Sequence, residues 1–376
     1  MNLINDIFTL DIRYRHHMLS KKAYIFFALT ICLLAISCSN DIAIAPKMPK
    51  PKALGKMNEV VVLTDQLMWD GAVGDSIRYY FEGEYPVTPR PEPIFNLRFY
   101  TPEKIDFEPL LRELRTYLIV VNLKDTESLM TKMLRKDLGE ERFRQAVEDD
   151  SFSSSIGKNK WATGQMIIYI FANSHEQLFE EIRTNFSAAA SRIKAHDYEQ
   201  LHAKTYSRGE NKGLSKRVKE QYGFDFKIPS DYKVAIDDRV IDYLDIRRDL
   251  GEVNQIISFR RYPYESTDQI SKEYLKKIRN EMGRERSYSN EPNSHMVIND
   301  VDLPVLEYPY NKEGSYGREF RGIWELENDF MGGPYISYLF VNEEQGKLLF
   351  VDTWVMAPGK RKRDFMQQLE LIVKGK

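Results

Sequence analysis

Residues 166–171 read Met166-Ile167-Ile168-Tyr169-Ile170-Phe171, and residues 117–121 read Tyr117-Leu118-Ile119-Val120-Val121. Both runs are apolar at odd and even positions alike. A strand reads this way when it is covered on both faces, as a central strand of a helix-flanked sheet is. Val60-Val61-Val62-Leu63 is a third such run, and the more alternating Ile94 to Tyr100 is expected as a fourth strand. Helical periodicity fills the intervals. Leu129, Met130, Met133 and Leu134 share one helix face, and Leu178, Phe179, Ile182, Phe186, Ala189 and Ile193 form a longer stripe. Ser174 with Gln177 gives that second helix a capping box. Residues 56–208 are therefore expected to fold as a mixed sheet with helices packed on it.

Working C-terminally, the polar, glycine-bearing stretch SRGENKGLSK (207–216) reads as a break, and the linker proper is placed at 209–216. Residues 217–376 are richer in strand patterns, at 223–228, 232–237, 241–247, 253–262, 302–308, 317–327, 334–342 and 346–355, with a hairpin turn over Val341 to Lys347. Two helices accompany them. Ile270, Tyr274, Leu275, Ile278 and Met282 make one apolar face behind a Ser266/Gln269 capping box; Phe365, Met366, Leu369, Ile372 and Val373 make the other, after Pro358-Gly359. The expectation is a strand-rich α+β domain, and the chain as a whole is α+β in mixed layers. With 22 Tyr and 20 Phe, both domains can bury sizeable cores.

Working N-terminally, Ala23 to Ile36 is an apolar run of 14 residues behind Lys21 and Lys22. Spanning a bilayer takes about 20 residues, whereas a signal peptide's apolar region takes about 7–15. Residues 1–37 thus read as a signal peptide, and Met18, followed by Leu19-Ser20-Lys21-Lys22, is a second candidate start. Leu34-Ala35-Ile36-Ser37-Cys38 resembles the lipobox of bacterial lipoproteins, with Ala35 where that motif most often has Leu. Cleavage would make Cys38 the lipidated first residue and remove Cys32, the only other cysteine, so that no thiol remains for catalysis, disulfides or metal binding. Ser39 in place of an Asp resembles outer-membrane sorting, facing the periplasm. Residues 38–55 carry Pro46, Pro49 and Pro51 among Lys47, Lys50 and Lys52, an extended tether reaching about 40 Å at most. Residues 1–37 hold four basic and two acidic side chains, so their removal takes the formal charge from −2 to −4. That balance argues against nucleic acid as a partner.

Chemistry-bearing motifs are sparse. Gly74-Asp75-Ser76-Ile77 imitates the nucleophile block of GDSL-type hydrolases, but it lies past the first strand and no Asp-x-x-His follows, so a helix start capped by Asp75 or Ser76 is expected. Ser155-Ile156-Gly157-Lys158 fits Ser-x-x-Lys without its companion elements and is expected within a flexible polar loop, 151–160. Gly71 to Gly74 offers only a weak anion cradle, since Asp75 sits where the anion would go. His175, His196, His202 and His295 have no metal-ligand spacing, and no metal or cofactor is expected. The acid pairs Glu325/Glu327 and Asp237/Asp238 carry no spacing signal. Lys360-Arg361-Lys362-Arg363 opens the last helix, where cations oppose the helix dipole. The run is expected as a solvated end, or as a contact for anionic lipid or an acidic partner.

Four segments carry a family resemblance: Trp69-Asp70-Gly71-Ala72-Val73-Gly74-Asp75, Glu92-Pro93-Ile94-Phe95, Asp329-Phe330-Met331-Gly332-Gly333-Pro334 and Ala357-Pro358-Gly359 with the basic run. Together they resemble an uncharacterised family of bacterial envelope lipoproteins, domain of unknown function 4837, over nearly the whole mature chain. Gly223-Phe224-Asp225-Phe226-Lys227-Ile228-Pro229 with Tyr232 is similar to the opening strand of PsbP/Mog1-type α+β domains. The resemblance implies an envelope location and no known activity, so no catalytic residues carry over from it. The expected function is a membrane-anchored, non-catalytic binding or assembly module with membrane lipid, and an envelope protein or anionic lipid, as partners. The alternative is a hydrolase of envelope polymers acting through carboxylates or Ser76.

Overall fold

In the computed structural model, residues 49–287 and 289–375 are described; the signal segment and Cys38 lie outside them. Residues 51–376 form one unit built around two sheets. In the first, β1 (Glu59–Leu63), β2 (Asn96–Tyr100), β3 (Thr116–Asn122) and β5 (Met166–Ala172) run parallel, and β4 (Ser154–Lys158) pairs antiparallel with β5, in the order β2-β1-β3-β5-β4. The uninterrupted apolar runs are explained by cover on both sides. Val60, Val62, Leu118, Val120, Ile168 and Ile170 face helices α1 (Gln66–Asp70), α2 (Ala72–Phe81) and α6 (His175–Thr205). The intervening Val61, Leu63, Ile119, Val121, Ile167 and Phe171 face α3 (Pro102–Phe107), α4 (Leu129–Leu138) and α5 (Glu140–Glu148). The α6 stripe packs as its spacing requires, and the Ser174 side chain caps the helix by accepting from Gln177 N at 3.2 Å.

Two readings of this half are corrected. The stretch expected as a flexible loop, 151–160, contains the edge strand β4; its Ser and Lys residues suit an edge, where one side of the strand is wet. Asp75 and Ser76 do not cap a helix. They lie inside α2, whose N-cap is Gly71.

The second sheet is antiparallel, in the order β10-β11-β12-β13-β8-β7-β6. Its strands are β6 (Lys233–Asp238), β7 (Tyr243–Leu250), β8 (Val253–Pro263), β10 (Leu306–Lys312), β11 (Ser315–Leu326), β12 (Gly332–Asn342) and β13 (Lys347–Met356), and a short β9 (Met296–Asn299) pairs with the far end of β11. Helices α7 (Lys212–Tyr222) and α9 (Arg363–Lys374) cover one face, and α8 (Lys272–Arg286) covers the other. Ser266 and Gln269 do form a capping box, but on a 3-10 turn ending at Ile270; α8 itself is capped by Ser271.

The expected linker and the expected strand 223–228 also differ. Helix α7 begins at Lys212, capped by Asn211, whose backbone N–H donates to Ile228 O at 2.8 Å. Residues 223–228 join no ladder. They lie extended with Phe224, Phe226 and Ile228 inserted in the α7/α9 core, and the Ile228 N–H bonds to Ser215 Oγ at 2.9 Å. The alternating burial is that of a strand, but the hydrogen-bond partners come from a helix start. The opening-strand likeness to PsbP/Mog1-type domains therefore has no strand beneath it.

Candidate functional site at the junction of the two sheets

The two halves are joined by a proline-rich strap, residues 84–93 (EYPVTPRPEP), that leaves the end of α2. Its base is closed by Tyr85 N donating to Glu92 O at 2.7 Å. The Tyr85 ring is buried in the core of the second half. Val87 adopts φ +61°, a conformation a β-branched residue reaches only against strain, on the order of 1–3 kcal/mol.

The basic run meets the strap. The Lys362 and Arg363 backbone N–H groups, at the start of α9, donate to the two carboxylate oxygens of Glu92 at 2.6 and 2.9 Å. Glu92 is buried, and so is Arg363, whose guanidinium donates to the Pro93 and Ile94 carbonyls at 2.5 and 3.3 Å. The anion that the helix dipole calls for is thus supplied from within the chain. This corrects the reading of the run as a solvated end or lipid contact so far as Arg363 is concerned. Lys360 and Arg361 stay at the surface, Lys360 at 3.3 Å from Glu252 and Arg361 donating to Asn96 at 2.9 Å; Lys362 is partly buried. A second bond set lies alongside. Asn58 and Gln367 exchange amide hydrogen bonds at 2.8 and 3.2 Å, and Asp197 accepts from Asn58 N and pairs with Arg115.

Beside the clamp opens a cleft of about 800 Å³, walled by Met57, Tyr85, Pro86, Tyr198, Leu201 and Leu371. On its floor Arg321 bonds to Glu319 at 2.5 Å and Glu370 at 2.6 Å, while Lys374 bonds to the same acids at 2.6 and 2.7 Å. Burial would raise the Glu370 carboxyl, but Arg321 and Lys374 outweigh it and hold it below the usual range. Burial would likewise lower Lys374, and Glu370 and Glu319 reverse that. Two acids and two bases cancel, leaving a fixed, neutral cluster. Motif spacing does not point to it; its faint signals are Glu319-x-Arg321 on a buried strand face and Glu370-x₃-Lys374 on a partly buried helix face.

The strap's other side walls a second cleft, also of about 800 Å³, lined by Pro86, Val87, Pro89, Pro91, the 302–306 segment, Ile323 to Glu325 and Asp329 to Gly332. Glu84, Asp302, Glu325 and Asp329 all line it. Of the two acid pairs visible in the sequence, Glu325 is therefore in a cleft, whereas Asp237 and Asp238 are paired with Arg217 and Arg286 at 2.6 and 2.5 Å.

The remaining candidates do not converge. Ser76 is partly exposed within α2, and among the described residues no histidine is bonded to it. Ser155 and Lys158 sit on edge strand β4. His196 is half-buried on α6; burial, with Arg115 and Lys158 near, pushes it down to about 4. His202 packs on Tyr206 at 4.7 Å, and His295 lies 3.3 Å from Glu327. Among the described residues no group of three or more His, Cys, Asp or Glu is placed to hold a metal ion.

Fold and junction together define a two-sheet α+β protein clamped by a strap and a buried helix cap. Residues 211–375 match the model of the family described as domain of unknown function DUF4837. Residues 53–206 match a separate family model, domain of unknown function DUF8532. The Trp69–Asp75 and Glu92–Phe95 segments fall within that second match, so DUF4837 covers the C-terminal half rather than nearly the whole mature chain. No curated protein sequence matches the chain.

Proposed function

We propose that the chain is a lipid-anchored envelope protein acting as a non-catalytic binding or assembly module through two clefts that share Tyr85 and Pro86. The binding half of this reading is carried by the junction cleft: about 800 Å³ with largely apolar walls, whose charged floor is neutralised within the chain. A pocket of that size and lining suits recognition. Internally matched charges are poor acids and bases, because each is held in its ionised form by a partner. The anchoring half rests on the signal-peptide pattern, on Cys38 in its lipobox-like setting and on the tether behind it; Ser39 favours the outer membrane. Among the described residues no helix is long and apolar enough to cross a membrane. Two acyl chains on one cysteine would suffice for stable attachment, each buried methylene adding about 0.8 kcal/mol.

The test is Cys38→Ala in cells fed radiolabelled palmitate. The variant should take up no label and accumulate as unprocessed precursor. Label incorporation with normal cleavage would overturn the anchor.

A further inference from the structure

We propose that the second cleft is a docking site for a basic peptide segment of another protein, one that sets a Lys or Arg beside an apolar side chain. The first argument is charge. Glu84, Asp302, Glu325 and Asp329 line the cleft, and no basic residue does; the strap's one cation, Arg90, is not part of the lining. Among the described residues none of these four carboxylates is within ion-pair distance of a cation. Glu84, Asp302 and Glu325 are exposed and Asp329 partly so, which leaves their carboxylates open to a cation from solution. A concave site lined by one sign of charge concentrates the opposite sign within it.

The second argument is that the acids are held in place. Asn299 is buried, and its amide nitrogen donates to Asp302 Oδ2 and to Glu325 Oε2, both at 2.8 Å. The two oxygens are therefore no further apart than twice that distance. Like charges this close repel, and a neutral amide does not cancel them. A cation entering between them would. The Asn299 Oδ1 in turn accepts from the Val301 and Asp302 backbone N–H groups, which fixes the amide's orientation.

The third argument selects a peptide over a bare cation. Pro86, Pro89, Pro304, Leu306, Ile323 and Met331 give the cleft apolar walls, and prolines lose little freedom when such a wall is covered. Phe330, in the lining, is fully exposed, and Val301, next to Asp302 in the chain, is 93% exposed. Exposed large apolar side chains around a charged groove are the composition of a recognition surface. Four carboxylates exclude anionic lipid and nucleic acid from the same place.

The proposal deepens the binding-module reading but fails separately from it, since it is tested on peptide affinity and not on lipidation. Full-length protein in a neutral detergent would be titrated against fluorescein-labelled Lys-Leu-Lys-Leu-Lys by fluorescence anisotropy, with Gln-Leu-Gln-Leu-Gln and Lys-Ser-Lys-Ser-Lys as comparisons. The first peptide should bind at low salt and weaken as salt rises. The double substitution Glu84→Gln/Asp329→Asn should lower its affinity roughly tenfold. Phe330→Ser, at a fully exposed position where folding is not at stake, should lower it several-fold. The proposal is overturned if no binding is seen at low salt, if the glutamine peptide binds equally well, or if both variants match wild type. Equal binding of the serine peptide, with displacement by spermine, would reduce the cleft to a counter-ion site and overturn the peptide assignment.

Discussion

Replacing Glu92 by Ala removes the carboxylate that caps α9, and the cost can be worked from the geometry. Two backbone N–H groups, of Lys362 and Arg363, lose charged acceptors at 2.6 and 2.9 Å. A hydrogen bond to a charged group contributes about 1.5–3 kcal/mol, and a buried donor left without an acceptor costs about 1–3 kcal/mol. The dipole adds up to about 2 kcal/mol in a partly buried setting. These contributions overlap, and Glu92 is 6% exposed, so water can restore little; about 4 kcal/mol is expected. At roughly 2.1 cal/mol/K per residue, a unit of about 330 residues melts with an entropy near 0.7 kcal/mol/K, so the loss corresponds to about 6 °C. Differential scanning calorimetry of wild type and Glu92→Ala measures it. Lys360→Gln, at the exposed start of the same run, serves as control and should shift the midpoint by less than about 1 °C. Because Glu92 and Arg363 act on one helix end, Glu92→Ala and Arg363→Ala should be non-additive in a double-mutant cycle. A shift in Glu92→Ala no larger than the control's, or strict additivity, would refute the clamp.

Two further outcomes are expected. Glu370→Gln breaks the partly buried four-charge cluster and should cost about 2–3 kcal/mol by urea unfolding, because Arg321 and Lys374 then share one carboxylate; a neutral result would mean that the cluster is solvated. The pH dependence should resolve into two opposing slopes. His196, ordinarily 6.5, is pushed down to about 4, so the fold keeps it neutral; its contribution is complete above about 6.5 and is lost as pH falls towards 4. Asp245 keeps some exposure as a residue, yet withdrawal of its carboxyl from water, with Asp352 near, pushes it from 3.8 up to about 7. The fold therefore keeps it protonated, and its contribution is complete below about 3.8 and is lost as pH rises through 7. Relative to wild type, His196→Gln should make stability fall more steeply with rising pH between 4 and 7, and Asp245→Asn should make it rise. Variants that keep the wild-type slope would contradict these assignments.

Most of the architecture is legible in the sequence because it depends on short-range pattern. The runs at 60–63, 117–121 and 166–171 declare a sheet covered on both faces, and the α6 and α9 stripes declare their buried sides. What pattern misses depends on partners remote in sequence. Ser154–Lys158 resembles a loop because an edge strand needs only one apolar neighbour, here β5. Phe224, Phe226 and Ile228 alternate like a strand, yet the acceptor for the Ile228 N–H belongs to Ser215 on a helix. The basic run has the composition of a solvated end because Glu92 lies 271 residues before Arg363. The strap leaves a plainer trace, four prolines in 84–93, but composition alone does not say that they bridge two sheets.

The segments that carry the family resemblance have geometric roles, which bears on where function should be sought. Gly74 must be glycine because a Cβ there would overlap the Trp69 carbonyl, and that closeness lets Trp69 stack on Phe99 at 4.7 Å, with the Arg78 guanidinium over the indole at 4.5 Å. Gly333 must be glycine because a Cβ would overlap the Val355 carbonyl across the β12–β13 pair. Glu92 and Arg363, from two of the other segments, close the helix clamp. Such residues specify backbone approach and helix capping, roles for which packing alone accounts. The carboxylates of the second cleft have no ion-pair partner among the described residues: Glu84 on the strap, Asp302 beyond β9, Glu325 on β11 and Asp329, which opens one of these segments, in the β11–β12 turn. Strap, loop, strand and turn each contribute one, and only the fold gathers them. A rigid frame of fixed glycines and a clamped strap that gathers four unpaired carboxylates into one apolar cleft is the arrangement expected of a preorganised binding surface.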